Sequence, residues 1–121
     1  MEDNTITHIE IPAPDLQRAV DFYSTVFNWN IEISQPSVYA FFRIGQTQTG
    51  GGLDAGLSVA GEKQGSQIVV DVESVDQSLK KIESAGGAII LPGTEIEGGH
   101  GYYAIFRDPN GNYLQIHSRK P

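Results

Sequence analysis

The side chains in this sequence that could bind an ion or move a proton fall on runs that alternate apolar and polar residues. His8 and Glu10 alternate with Ile9 and Ile11; Gln67, Val69 and Asp71 with Ile68, Val70 and Val72; Tyr113, Gln115 and His117 with Leu114 and Ile116. Successive side chains of a strand point to opposite faces. Each run therefore offers an apolar row expected to pack on a helix and a second row carrying imidazole, carboxylate and amide groups. A strand facing water offers the same pattern, so alternation alone does not distinguish a solvated face from a lined cleft. Gln67 and Gln115 each donate and accept, and are expected to bond each other, His8 or a ligand. Glu10 and Asp71 put negative charge on this face, which favours a cationic ligand. Tyr39, Tyr102 and Tyr103 are expected in the core or as a pocket wall, Trp29 as packing, and His117 at a rim. His100 stands in a glycine-rich stretch, and loops over clefts carry function disproportionately. Arg43 and Arg107 are expected first as structural ion pairs and otherwise as guides for an anionic substrate.

The elements that must position these residues occur twice. His8-Ile-Glu-Ile-Pro12 and Gln67-Ile-Val-Val-Asp71 lie 59 positions apart, and each leads into a capped helix. Asp15 precedes a helix with Leu16, Ala19, Val20, Tyr23 and Phe27 at 3.6-residue spacing; Ser74 precedes one with Val75, Ser78, Leu79 and Ile82. Tyr39-Ala-Phe-Phe-Arg43 recurs as Tyr103-Ala-Ile-Phe-Arg107 with an offset of 64. The five additional residues are placed in 92–100, read as a loop or broken strand. The expected order is strand, helix and three strands, twice over: strands at 5–11, 30–35, 38–44, 51–57, 66–72, 87–91, 101–107 and 112–117, helices at 16–27 and 75–85. Gly86 and Gly87 are expected to end the second helix, and 108–111 to form a turn. This is an α+β fold of two βαβββ modules, about 1–60 and 61–121, within a single domain. Two sheets related by a repeat tend to enclose a concavity, which favours a lined cleft.

Composition narrows the function. With 8 basic and 15 acidic residues the formal charge is −7, the wrong sign for nucleic acid or anionic lipid. The absence of cysteine excludes disulfides, thiolate metal sites and a cysteine nucleophile. No apolar run reaches the roughly 18–20 residues of a membrane span, and the acidic start is unlike a signal peptide. A cytoplasmic globular domain is expected. No Gly-x-Ser-x-Gly elbow, phosphate loop or His-Glu-x-x-His is present, and Gly50-Gly-Gly-Leu53 lacks the helix that a dinucleotide motif needs.

His8-Ile-Glu-Ile-Pro12, Asp15-Leu-Gln-Arg-Ala-Val-Asp-Phe-Tyr23, Val26-Phe-Asn-Trp29, Gly51-Gly-Leu53 and Gly101-Tyr-Tyr-Ala-Ile-Phe-Arg-Asp-Pro-Asn-Gly-Asn112 together resemble the vicinal oxygen chelate superfamily: glyoxalase I, fosfomycin-resistance enzymes, bleomycin-binding proteins and extradiol dioxygenases. The likeness runs over nearly the whole chain and is greatest to its glyoxalase-like branch. It implies a curved mixed sheet per module, a helix on the convex face, and a cleft holding a divalent metal (Zn, Ni, Mn or Fe). The family's ligand positions map onto His8, Gln67 and Gln115, with the fourth near Gly51 and Gly52, where no side chain exists. A homodimer is also implied.

Only His8 retains the family's usual residue type. An imidazole with two amide oxygens is a neutral set, whereas hard cations prefer carboxylate and zinc prefers imidazole, thiolate or carboxylate. Glu10 and His117 lie on the correct faces, but each is two residues, roughly 6–7 Å, from a ligand position. Ligand chemistry thus predicts a weak or absent metal. Two readings stay open: a glyoxalase-type lyase or isomerase with Glu10 as the proton-moving carboxylate, or a metal-free protein that binds or sequesters a small molecule, as bleomycin-binding members do. Tyr39, Tyr103, His100 and His117 are the expected ligand-binding side chains in both.

Overall fold

The computed structural model describes residues 4–34 and 38–121. The chain forms two compact units, residues 1–59 and 60–121.

In the first unit, β1 (His8–Pro12) leads into α1 (Leu16–Phe27), followed by β2 (Asn30–Ile33), β3 (Tyr39–Arg43) and β4 (Gly50–Asp54). The sheet order is β1-β4-β3-β2, with β1 parallel to β4 and the other pairs antiparallel. Asp15 caps α1 by accepting from the Arg18 amide, and Asn28 closes it in the left-handed conformation. The buried stripe of α1 is Leu16, Ala19, Phe22, Tyr23 and Val26. It is rotated from the expected face, which included Val20 and Phe27; both lie at its half-buried margin. Trp29, immediately after the helix, stacks between Tyr23 at 5.2 Å and Phe42 of β3 at 4.6 Å, tying helix to sheet.

The second unit repeats the plan. Here β5 (Val69–Asp71), α2 (Val75–Ser84), β6 (Ala88–Glu95), β7 (Tyr102–Arg107) and β8 (Tyr113–Ser118) form a sheet of order β5-β8-β7-β6. Ser74 caps α2, whose Val75, Leu79 and Ile82 are buried. Between β7 and β8, the buried Asp108 carboxylate accepts from the amides of Asn110 and Asn112 and from the Asn112 side chain, fixing the turn. The repeated fold is the α+β arrangement expected from the sequence.

Several boundaries differ. β5 begins at Val69, so Gln67 precedes the strand instead of lying within it. The first strand starts at His8 and the fourth ends at Asp54, both shorter than expected. The expected strand 30–35 stops at Ile33; its last residue, Gln35, lies outside the described residues. β6, by contrast, runs on to Glu95 through two register shifts against β7. Pro92 is tolerated because β6 is an edge strand and irregular there. The additional residues therefore lengthen a broken strand as well as its loop. Among the described residues no helix is long and apolar enough to cross a membrane.

Candidate functional site

Registration of the first sheet turns its helix-free face into a grid. His8, Gly50, Arg43 and Asn30 form one row across β1, β4, β3 and β2; Glu10, Gly52, Phe41 and Glu32 form the next; Pro12, Asp54 and Tyr39 begin a third. The column along β4 has no side chain in its first two rows. Tyr39 fills part of it: its ring lies over Gly52, where even a Cβ would overlap the phenol. The glycine run is thus split by face. Gly51 points toward the helix and makes room for the Phe42 ring, while Gly52 makes room for Tyr39.

Across Gly52, Tyr39 donates to the Glu10 carboxylate, which also meets His8 Nε2; that nitrogen is 3.1 Å from Tyr39 Oη. The phenol has one proton and gives it to Glu10, so the partners of His8 Nε2 assign it a proton too. Burial works against the Glu10 charge, but hydrogen bonds from Tyr39 and His8 and attraction to His8 outweigh it, and its pKa lies below the usual value. Burial and the neighbouring carboxylates of Glu10 and Asp54 push the Tyr39 phenol up to about 12. At neutral pH the cluster is a phenol and an imidazole N–H closed around an ionised carboxylate. Beside it, a hollow of about 460 Å³ is lined by His8, Asn30, Glu32, Phe41 and Arg43, among others.

The second sheet carries two separate clusters. Gln115 Nε2 faces Gln67 Oε1 at 3.4 Å, and Gln67 donates onward to the Gly65 carbonyl at 3.0 Å. His117 Nδ1 lies 2.7 Å from Asp71 Oδ1 and its Nε2 lies 2.8 Å from the His100 carbonyl. Both partners accept, so the pair of contacts favours the imidazolium, in which both ring nitrogens donate. Its pKa is raised, first by the Asp71 hydrogen bond and then by the His100 carbonyl. His100 thus contributes its backbone, and the loop before β7 is tied to β8. Tyr103 pairs across β7 and β8 with His117.

The structure accordingly brings His8, Glu10 and Tyr39 together in one unit, and Gln67 with Gln115, and His117 with His100, in the other. Two residues of these faces were not expected from the sequence: Asp71 as the partner of His117, and Phe41 as an exposed ring on the His8 face. Strand parity held the signal for both, since Asp71 shares a row with His117 and Phe41 with Glu10. The ion pairs expected of Arg43 and Arg107 do not form among the described residues.

Do the residues at the family's metal positions fit a divalent ion? The lone pair needed on His8 Nε2 is protonated toward Glu10, the Gln67 oxygen faces an amide, and Gly52 is covered by a phenol. The Glu10 carboxylate is already engaged by two donors, Tyr39 and His8. Among the described residues no three histidine, aspartate or glutamate side chains converge on a point. This donor set does not fit a tightly held divalent metal.

Comparison with known proteins bears on both fold and family. The chain is 22% identical to a probable lactoylglutathione lyase of Vibrio cholerae over 99% of its own length and 94% of that protein's. Its fold matches a glyoxalase/bleomycin resistance protein/dioxygenase family enzyme from Burkholderia phytofirmans, with TM-score 0.76, 19% identity, and 93% and 96% of the two chains covered. It also matches a mutant fosfomycin resistance protein, FosX, of Listeria monocytogenes, crystallised with Mn(II) and a dihydroxypropylphosphonic acid: TM-score 0.73, 21% identity, 95% and 90% covered. The family model for the glyoxalase/bleomycin resistance protein/dioxygenase superfamily matches residues 5–116, and with its two βαβββ units the chain belongs to that superfamily.

Proposed function

We propose that this chain is a metal-independent small-molecule binding protein of its superfamily, with the helix-free face of the first sheet as its binding surface. One observation carries the reading: the side chains at the family's metal positions are already hydrogen-bonded, His8 to Glu10 and Tyr39, and Gln67 to Gln115. A phenol, an imidazole and a carboxylate fixed by mutual hydrogen bonds form a preorganised polar floor, and the adjacent hollow has the size of a small-molecule site. Sequestration of a ligand, without turnover, is the function such a site supports.

Lyase or isomerase chemistry is the second reading. It is favoured by the name of the Vibrio relative and by the ionised state of Glu10. Against it, the hydrogen bonds that lower the Glu10 pKa also weaken it as a base, whereas efficient bases are tuned toward neutrality. The two are separated by assaying protein purified without chelator. Binding predicts a ligand-induced thermal shift unchanged by EDTA and no turnover of a hemithioacetal. Metal-dependent turnover, abolished by EDTA and by Glu10→Gln, overturns it. A homodimer is part of the proposal; gel filtration is expected at twice the 13.2 kDa chain mass, and a species at that mass contradicts it.

A further inference from the structure

The hollow on the first sheet has one polar end and one aromatic wall, and the sequence repeat shows that the wall is specific to this unit. Tyr39-Ala-Phe-Phe-Arg43 and Tyr103-Ala-Ile-Phe-Arg107 differ only at their third residue. In β7 that residue, Ile105, is buried at 7% exposure; in β3 it is Phe41, exposed at 54%. Exposing a phenyl ring forgoes burial that would stabilise the fold. The ring is nonetheless held in place. Tyr39 packs against it edge-on, with centroids 4.8 Å apart, and Tyr39 is itself anchored on Glu10. An oriented aromatic face open to solvent is a preformed surface for another ring.

One row along the same strand stands Arg43, which has no carboxylate partner among the described residues. It lines the hollow with Phe41, and between Arg43 and His8 lies Gly50, so the floor there is bare backbone. Arg43 and His8 stand two strands apart, roughly 10 Å at about 4.8 Å per strand. Glu32 and Glu10 occupy the Phe41 row and repel an anion there, which confines a ligand's negative group to the Arg43 row.

From this arrangement we infer that the hollow binds a planar aromatic or conjugated small molecule bearing one anionic group, its ring on Phe41 and its carboxylate or phosphonate on the Arg43 guanidinium. The inference rests on the binding function proposed above and gives it a ligand class. It reverses the preference for a cation drawn from Glu10 and Asp71, because the row that holds Arg43 carries no acidic side chain.

Phenylphosphonate, benzoate, benzyl alcohol and phenethylamine, followed by NMR amide shifts and calorimetry on the full chain, test it. The two anions are expected to shift amides of 41–52 and to bind about tenfold tighter than benzyl alcohol, the value of one hydrogen-bonded charge. Arg43→Gln is expected to abolish that preference, and Phe41→Leu to weaken both anions and alcohol alike. Arg107→Gln, the repeat-related change, is expected to alter neither. Equal binding of anion and alcohol, tighter binding of phenethylamine, equal losses in Arg43→Gln and Arg107→Gln, or no binding by any probe each overturns the ligand class. The amide map also separates the two levels. Tight phenethylamine binding at 41–52 leaves a binding face there intact, whereas probes shifting only residues of the second unit remove both.

Discussion

Gly52 and Tyr39 are best understood as one unit, because the missing side chain of one is the space occupied by the other. Gly52→Ala is expected to displace the phenol and cost about 1–3 kcal/mol, an overpacking penalty readable by urea denaturation; no change in stability argues that Tyr39 is free to leave. Tyr39→Phe removes a donor from Glu10, so the Glu10 pKa, followed by carboxyl NMR, is expected to rise toward its ordinary value. A Glu10 value unmoved by the change contradicts the closed cluster. His117 sets a pH dependence of known sign. Its folded pKa lies above its unfolded one, so its contribution is complete below the unfolded value of 6.5 and is lost as pH rises through the raised folded value. Asp71→Asn is expected to bring the His117 titration down and to flatten that part of the stability curve; an unchanged imidazole titration removes Asp71 as its cause. Much of this was legible in the alternation of His8 and Glu10, or of Gln115 and His117. What alternation could not supply was which side chain spans the bare β4 column, since that depends on the Tyr39 rotamer reaching diagonally across strands.

At the scale of elements, the repeat was visible because capping residues and polarity are local signals: Asp15 and Ser74 both cap their helices as expected. Lengths were less legible. Pro92 and Gly93 read as a loop or a broken strand, and β6 runs through them because an edge strand needs hydrogen bonds on only one side and absorbs irregular residues as bulges. The buried face of α1 is rotated from the expected one, with Phe22 and Val26 inside and Val20 and Phe27 at its margin, because helical spacing leaves neighbouring apolar rows as equal candidates. The aromatic stack of Tyr23, Trp29 and Phe42 joins α1 to β3, and β3 carries Tyr39, Phe41 and Arg43. Trp29→Ala is expected to cost about 3–5 kcal/mol in urea denaturation. A cost below about 1 kcal/mol, within the range of ordinary surface substitutions, indicates that the stack does not hold the helix to the sheet.

Over the whole molecule, membership of the superfamily fixes the scaffold and leaves the chemistry to the side chains. Two sheets of identical strand order carry different polar clusters: an ionised carboxylate closed by a phenol and an imidazole in one, an amide pair and a histidine latch in the other. Neither is a set of anionic donors waiting for a cation, because the polar clusters are closed on themselves. The most direct test of that closure is a calorimetric titration of purified, chelator-treated and desalted protein with Mn(II), Ni(II) and Zn(II). With these donors already engaged, no saturable binding in the micromolar range and no metal retained through desalting are expected. One ion bound per chain with micromolar or tighter affinity, lost in His8→Ala, contradicts it.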